Sequence, residues 1–302
     1  MHISDELAFS TVRIECKFAD GNCGTGTGFF MSLCVKGEKS IPVIVTNRHV
    51  VKGASEGRFC LTLKNEEDTP DIGNFRFFEL PDFESQWLFH PEADLAVMIM
   101  GPLLNVSAER GERFFYRCLS AEQIPTNEEL ADMPAMQEIV MVGYPNGIWD
   151  EVNNQPVFRK GITATHPELK YNGKPEFLID AACFNGSSGS PVIAVDKDSI
   201  TTRTEGTVFA PGILRVRLLG ILYAGPQHLA SGEVKTVEIG IKKNIALTAI
   251  PNNLGNVISS KALLDFEPLL YYIADNGKKP GRLAPCPCQS GKNYKNCHGI
   301  LA

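Results

Sequence analysis

Nowhere in its 302 residues does this chain run to about 18 consecutive apolar positions, so no segment of it is expected to cross a bilayer as a helix. It has no cationic surplus either. A formal net charge of −6 gives no general attraction to nucleic acid or to an anionic membrane surface. The opening residues, MHISDELAFSTVRIEC, lack a cationic segment followed by an apolar one, so we expect no secretory signal. Nor do the nine cysteines divide into pairs. Cys286, Cys288 and Cys297 crowd the C-terminus, while Cys16, Cys23, Cys34, Cys60, Cys118 and Cys183 are scattered singly, mostly among apolar neighbours. Those six read as buried, reduced thiols of a cytoplasmic protein.

What is present is an ordinary globular composition, 43% hydrophobic and 21% charged, on a chain long enough for one large β domain or two smaller ones. Residues 10 to 250 are dominated by short β-type segments: STVRIECKF, GFFMSLCV, IPVIVTNRHVV, RFCLTLK and DLAVMIM. After a partly helical stretch from Asn105 to Met136 come EIVMVGYP, VFRKGITATH, EFLIDAAC, SPVIAV, VRLLGILYAG and VEIGIKKNIALTAIP. Two sets of about six short strands in halves of similar length predict a mainly β protein of two closed or nearly closed antiparallel barrels, over about 1–125 and 126–252. Beyond Pro251, Phe266, Leu269, Leu270 and Ile273 form a helical stripe in a connector over 253–278, with Pro268 expected to break or kink it and Gly277 to stop it. A cysteine-rich tail occupies 279–302. From Asn276 onward it carries five cations and no acid, so it is electrostatically unlike the rest of an acidic chain.

The stretch FNGSSGSPVIAV, from Phe184, spends more glycine and hydroxyl than a turn requires before entering an apolar strand. Upstream, VIVTNRHVV ends a strand with His49, and HPEADLAVMIM opens another with Asp94 at its polar edge. These residue types fit one chemistry. A serine hydroxyl needs an imidazole to take its proton, and the imidazole needs a carboxylate to fix its tautomer. The oxyanion of an acyl-transfer intermediate needs backbone amides aimed at it. Gly186 has the backbone freedom to aim its own N–H and that of Ser188 into one pocket. His2, His90, His166 and His228 lie in polar or turn-rich contexts without a motif and offer no rival base.

Over about residues 8 to 250 the sequence resembles the trypsin/chymotrypsin-like serine peptidases. The family's T-x-x-H-V element stands here as TNRHVV, its D-[IL]-A element as DLAV and its G-x-S-G-x-P loop as GSSGSPV, in that order. GTGTGFF looks like the strand leading toward the histidine, and LLGILYAG like the strand that pairs with substrate backbone. The resemblance implies a chymotrypsin-like pair of six-stranded antiparallel barrels and a serine endopeptidase acting on protein or peptide substrates through an acyl-enzyme. It makes His49 the general base, Asp94 its orienting carboxylate, Ser188 the nucleophile, and the Gly186 and Ser188 amides the oxyanion hole. No catalytic cofactor is implied. Ser187 stands where clipped family members carry an aspartate, so no such activation switch is expected. Ser190 replaces the commoner glycine. Ala182, six residues before the nucleophile, is not the carboxylate that would select Lys or Arg, and Asp180 reads as a structural strand residue. The alternative is a catalytically silent peptidase fold that binds a partner's peptide strand and is recruited through the tail.

In the tail, PCPCQSGKNYKNCHG supplies three thiols and one imidazole, Cys286, Cys288, Cys297 and His298, a complete tetrahedral set for zinc. The string resembles the SEC-C motif found at the end of the bacterial preprotein translocase motor and of other bacterial proteins, with Gln289 in place of the usual glycine. So short a segment cannot bury enough apolar surface to fold alone, so the metal would supply its folding energy. With all four positions taken by protein, the zinc is expected to be structural. The resemblance implies docking to another protein or to the ribosome.

Overall fold

The computed structural model describes residues 2–37, 39–225, 227–234, 244–251 and 253–300. Its N-terminal half contains β1 (Thr11–Phe18), β2 (Cys23–Lys36), β3 (Lys39–Thr46), β4 (Ala54–Lys64), β5 (Pro70–Pro81), β6 (Leu88–Phe89), β7 (Ala96–Ile99), β8 (Phe114–Phe115) and β9 (Leu119–Ser120). These form one nine-stranded sheet in the order β5-β4-β1-β2-β3-β7-β6, with β8 added to β4 and β9 added, in parallel, to β2. The expected six-stranded barrel in this half is therefore corrected: among the described residues the two ends of the path, β5 and β6, do not pair, which leaves an open nine-stranded sheet. Proline supplies a reason. Pro70 and Pro81 bound β5, and Pro91 follows the two-residue β6, removing ladder donors where the edges would have to zip.

The C-terminal half contains β10 (Glu138–Gly143), β11 (Val157–Thr163), β12 (Glu176–Asp180), β13 (Pro191–Thr202), β14 (Gly206–Ala224), β15 (Gln227–Val234), β16 (Asn244–Pro251) and β17 (Leu254–Ser259). Six of them close into a barrel, β10-β11-β12-β17-β14-β13, in which β17 takes the place expected of the strand over 237–251. The closing strand, β17, lies within the segment expected to be a helical connector: Val257 pairs with Phe177 on one side and Leu222 on the other. β15 and β16 form a separate two-stranded ribbon. Of the strand expected at VEIGIKKNIALTAIP, residues 237–243 lie outside the described residues.

The partly helical region resolves into helices at Gly101–Glu109 and Asn127–Asp132, the second closed by a Thr126–Glu129 capping box. After the barrel, a 3-10 turn over Ser260–Phe266 runs into a helix at Glu267–Asn276. Pro268 starts this helix instead of breaking it, because a first-turn residue needs no N–H partner. Gly277 ends it in the left-handed region, φ +67°, its N–H donating to the Ile273 carbonyl. Leu263, Phe266, Leu269 and Leu270 are all fully buried, each contributing about 2 kcal/mol of hydrophobic stabilisation. They join Phe29, Met31, Leu88, Leu95 and Val97 of the first sheet and Ile193, Leu218 and Ile221 of the barrel in one core. Cys286, Tyr294 and Cys297 of the tail belong to that same core. Among the described residues no helix is long and apolar enough to cross a membrane.

Candidate active site

His49 lies on a one-turn helix, Arg48–Val51, that follows β3 directly. The turn can sit close to β2 because Gly26 has no side chain: a Cβ there would lie 2.4 Å from Val50 Cγ1. Asp94 lies in the six-residue loop between β6 and β7. Its carboxylate grips His49 twice. Oδ1 accepts the His49 backbone N–H at 2.9 Å, and Oδ2 pairs with ring Nδ1 at 2.5 Å. The Asp94 carbonyl meanwhile accepts from the side-chain amide of Asn47, a fully buried residue. Burial alone would raise the Asp94 carboxyl, but the bonds and charge of His49, helped by Arg48, outweigh it and hold the group below its ordinary value. A charged carboxylate at Oδ2 assigns the ring proton to Nδ1 and leaves the Nε2 lone pair free. The His49 side chain is 48% exposed against 24% for Asp94, so the imidazole is the member open to a substrate.

The Ser188 loop is tied to the same strand. The Thr27 N–H donates to the Ser188 carbonyl at 2.8 Å, the Thr27 hydroxyl to the Gly186 carbonyl at 2.9 Å, and the Thr46 hydroxyl to the Thr27 carbonyl at 2.7 Å. Gly186 and Gly189 both have positive φ, +83° and +90°, and neither could carry a side chain. A Cβ on Gly186 would fall 2.6 Å from the Tyr144 carbonyl oxygen, and one on Gly189 1.9 Å from that of Thr27. Among the described residues no acceptor takes the N–H of Gly186 or of Ser188, whereas Ser187, Gly189 and Ser190 all donate within the fold. The Ser188 hydroxyl donates to the Tyr223 carbonyl at 3.4 Å and makes no hydrogen bond to His49 among the described residues. Tyr223 in turn donates its own hydroxyl to Glu176 at 2.8 Å. Burial, that bond, and the charges of Glu176 and Asp94 raise its phenol, and the last of these sets Tyr223 within electrostatic reach of the carboxylate.

Neighbouring positions resolve as well. Ser187 and Ser190 are buried with hydroxyls that find no partner among the described residues, and Ser190 Oγ occupies the space a Cβ on Gly143 would need, so it faces the barrel wall. Asp180 is exposed at the end of β12, its backbone paired with Ile162 and Leu254. A cavity of about 620 Å³ is lined by Glu92 and Ala93 of the Asp94 loop together with Lys170, Lys174 and Glu176. Thr27, Asn47 and Tyr223 were not singled out by the sequence. They act through the backbone or as local anchors, and only the glycine-flanked setting of Thr27 in GTGTGFF hinted at a crowded strand.

In the tail, the Cys286, Cys288 and Cys297 sulfurs and His298 Nδ1 all lie within 4.8 Å of one another. The Cys288 sulfur is 3.3 Å from that of Cys286 and 3.4 Å from that of Cys297, and Nδ1 is 3.4 Å from both Cys286 and Cys297. A tetrahedral metal with metal–sulfur bonds of about 2.3 Å requires edges of about 3.8 Å, so the set fits a four-coordinate ion after slight expansion. Ser290 Oγ sits 3.3 Å from the Cys288 sulfur and 3.4 Å from that of Cys297, a hydroxyl available to thiolate charge. Burial above all, with a smaller effect from the neighbouring His90, lowers the His298 imidazole to about 4, so it is neutral at pH 7 and has a lone pair to offer a metal. Gln289 stands at φ +60°, where the motif's usual glycine carries no penalty.

A model of the trypsin-like peptidase domain matches residues 26–200, and a model of the SEC-C motif matches residues 284–300. Curated relatives include the protein translocase subunit SecA of Nitrosococcus oceani, 44% identical over 59 residues covering 20% of this chain and 6% of that protein. SecA of Chlorobium phaeovibrioides is 81% identical over 21 residues, 7% of this chain and 2% of that protein. The chain spans less than a tenth of the length of the curated relatives it matches. Similar solved structures include the Rv3671c protease of M. tuberculosis in its active form, with 15% identity, a TM-score of 0.43 and coverage of 92% of this chain and 86% of that one. The MamO protease domain of Magnetospirillum magneticum, apo form, has 15% identity and a TM-score of 0.43, covering 86% and 97% of the two chains.

Proposed function

The chain belongs to the trypsin-like peptidase family, and from that premise we propose that it is a serine endopeptidase that cleaves protein or peptide substrates with Ser188, His49 and Asp94. The observation that carries the reading is the pair of amides at Gly186 and Ser188 that no acceptor among the described residues takes, set in the loop that Thr27 ties to Thr46, three residues before the His49 that Asp94 bonds twice.

The Ser188 hydroxyl leaves its weak bond to the Tyr223 carbonyl and turns to His49 Nε2. As Oγ attacks the scissile carbonyl carbon, Nε2 takes the hydroxyl proton, and Asp94 stabilises the resulting imidazolium. The carbonyl oxygen, now an anion, is received by the Gly186 and Ser188 N–H groups. One such donor is worth about 10²–10³ in rate. The C–N bond breaks as Nε2 returns the proton to the leaving amine, leaving an acyl group on Oγ. Water, deprotonated by the same Nε2, repeats the addition and elimination and frees the serine.

In the tail, Cys286, Cys288, Cys297 and His298 would hold one zinc ion, whose chemistry there is to staple the segment and nothing more. The exposed cations Lys278, Arg282 and Lys292 suit docking of this end of the chain to an acidic surface of a protein partner. Cleavage-site profiling on a proteome-derived peptide library tests the activity. New termini are expected with the wild type and none with Ser188→Ala. Equal cleavage by both, or by neither, contradicts the reading.

A further inference from the structure

His90 was without a role in the sequence, yet the fold gives it three. It opens the loop that carries Asp94. It is only 6% exposed, and its Nδ1 accepts two backbone donors of that loop, from Glu92 at 3.1 Å and Ala93 at 2.7 Å. Because both partners are N–H groups, Nδ1 carries no proton and Nε2 must donate; it does so to Asp265 Oδ2 at 3.0 Å. The His90 N–H closes the loop onto the Leu95 carbonyl at 3.0 Å. One residue at the loop's base thus fixes the two positions immediately before Asp94 and the one immediately after it.

The ring of His90 rests on the C-terminal module. Its centroid lies 5.6 Å from that of Phe266 and 6.2 Å from that of His298, and the Phe266 and His298 rings are 5.7 Å apart, all three pairs edge-to-face. His298 contributes one wall of the slot that holds His90, while its Nδ1 faces the thiol cluster. Cys286, Tyr294 and Cys297 share a core with Leu88, Leu95 and Val97, which bracket Asp94 on both sides.

We propose that His90 is a positioning residue for the Asp94 carboxylate and that the metal-loaded C-terminal knuckle holds His90 in place, so that turnover at Ser188 depends on a metal ion remote from substrate. The proposal rests on the triad reading above. Without an ion, no coordinate bond holds the three thiols and the imidazole together, and His298 is then free to leave the wall. The loop loses its base, and Asp94 no longer meets both the backbone and the ring of His49. A misplacement of about 1 Å in such a constellation costs up to about a hundredfold in rate.

The full chain loaded with zinc is compared with the same chain stripped by a chelator, and with His90→Ala, Asp265→Ala and Asp265→Asn. Two readouts are taken: the rate of fluorophosphonate labelling at Ser188, and the low-field proton resonance of His49 Nδ1–H. Zinc removal and His90→Ala are expected to slow labelling about tenfold and to broaden or shift the resonance, and adding zinc back restores the stripped wild type. Asp265→Ala slows labelling about threefold, while Asp265→Asn, which keeps an acceptor for Nε2–H, stays near wild type. If His90→Ala does not fold, the zinc titration and the exposed Asp265 pair decide. Labelling and resonance indifferent to zinc in a wild type that labels at Ser188 overturn the coupling and leave the peptidase reading standing. A zinc-loaded wild type with no Ser188 labelling overturns both.

Discussion

Asp94 holds His49 at two points, its Oδ1 on the backbone N–H at 2.9 Å and its Oδ2 on ring Nδ1 at 2.5 Å. The carboxylate therefore sets both where the helical turn sits and which ring nitrogen keeps its proton. Asp94→Asn retains the size of the side chain but offers an NH2 where an acceptor is needed, which inverts the tautomer. Turnover is expected to fall by about 10⁴ at pH 7, with substrate affinity little changed and the fold intact by circular dichroism. Steady-state kinetics on any peptide the wild type cleaves checks this.

The same bonds link Asp94 to acid stability. Its folded-state carboxyl lies below the ordinary value, so it stabilises the native state above the unfolded pKa of about 3.9 and loses that contribution as pH falls through the lower, folded value. Denaturant unfolding measured from pH 7 down to pH 2 should show a lower plateau for Asp94→Asn and a shallower decline below about pH 4 than the wild type shows.

Gly186 combines a positive φ with a backbone neighbour only 2.6 Å from where a Cβ would stand. Gly186→Ala must push the loop away from the Tyr144 carbonyl and turn at least one of the two free amides out of the pocket. A loss of about 10²–10³ in turnover is expected, with KM changed far less, because the ground-state carbonyl needs these donors less than the anion does. Comparison of kcat and KM for the variant and the wild type reads the difference directly.

The His49–Asp94 pair and the glycine-shaped 186–190 loop of the candidate site were legible in the sequence because the proposed proton transfer from a serine would demand particular residue types, which leave a pattern there. What was not legible acts through groups every residue has. The Tyr223 carbonyl that holds the Ser188 hydroxyl, and the Thr27 amide that anchors the loop, carry no residue-type signal. In the fold, the barrel strands β10 to β14 follow apolar runs bounded by turns, and could be read locally. Closure could not, because it depends on which remote edges meet: β17 completes the second barrel from a short Gly-containing segment, while β5 and β6 fail to complete the first. The stripe at Phe266, Leu269 and Leu270 marked a helix, but not that the helix and the cysteine tail would be buried in the body of the protein.

That burial has a consequence for the metal. Elemental analysis should find about one zinc per chain, and the double variant Cys286→Ser, Cys297→Ser should retain little of it. Because both thiols lie in the central core, the melting temperature is expected to fall by about 5 °C or more, a larger effect than loss of a detached tail would produce. Full zinc content in the double variant contradicts the assignment of these ligands.

The most direct measurement is the site of covalent capture by a fluorophosphonate probe, read by mass spectrometry of the digested protein. A single adduct on the peptide carrying Ser188 is expected in the wild type, absent from Ser188→Ala and strongly reduced in His49→Ala. An adduct at another residue, or one that forms equally without the imidazole, would contradict the account.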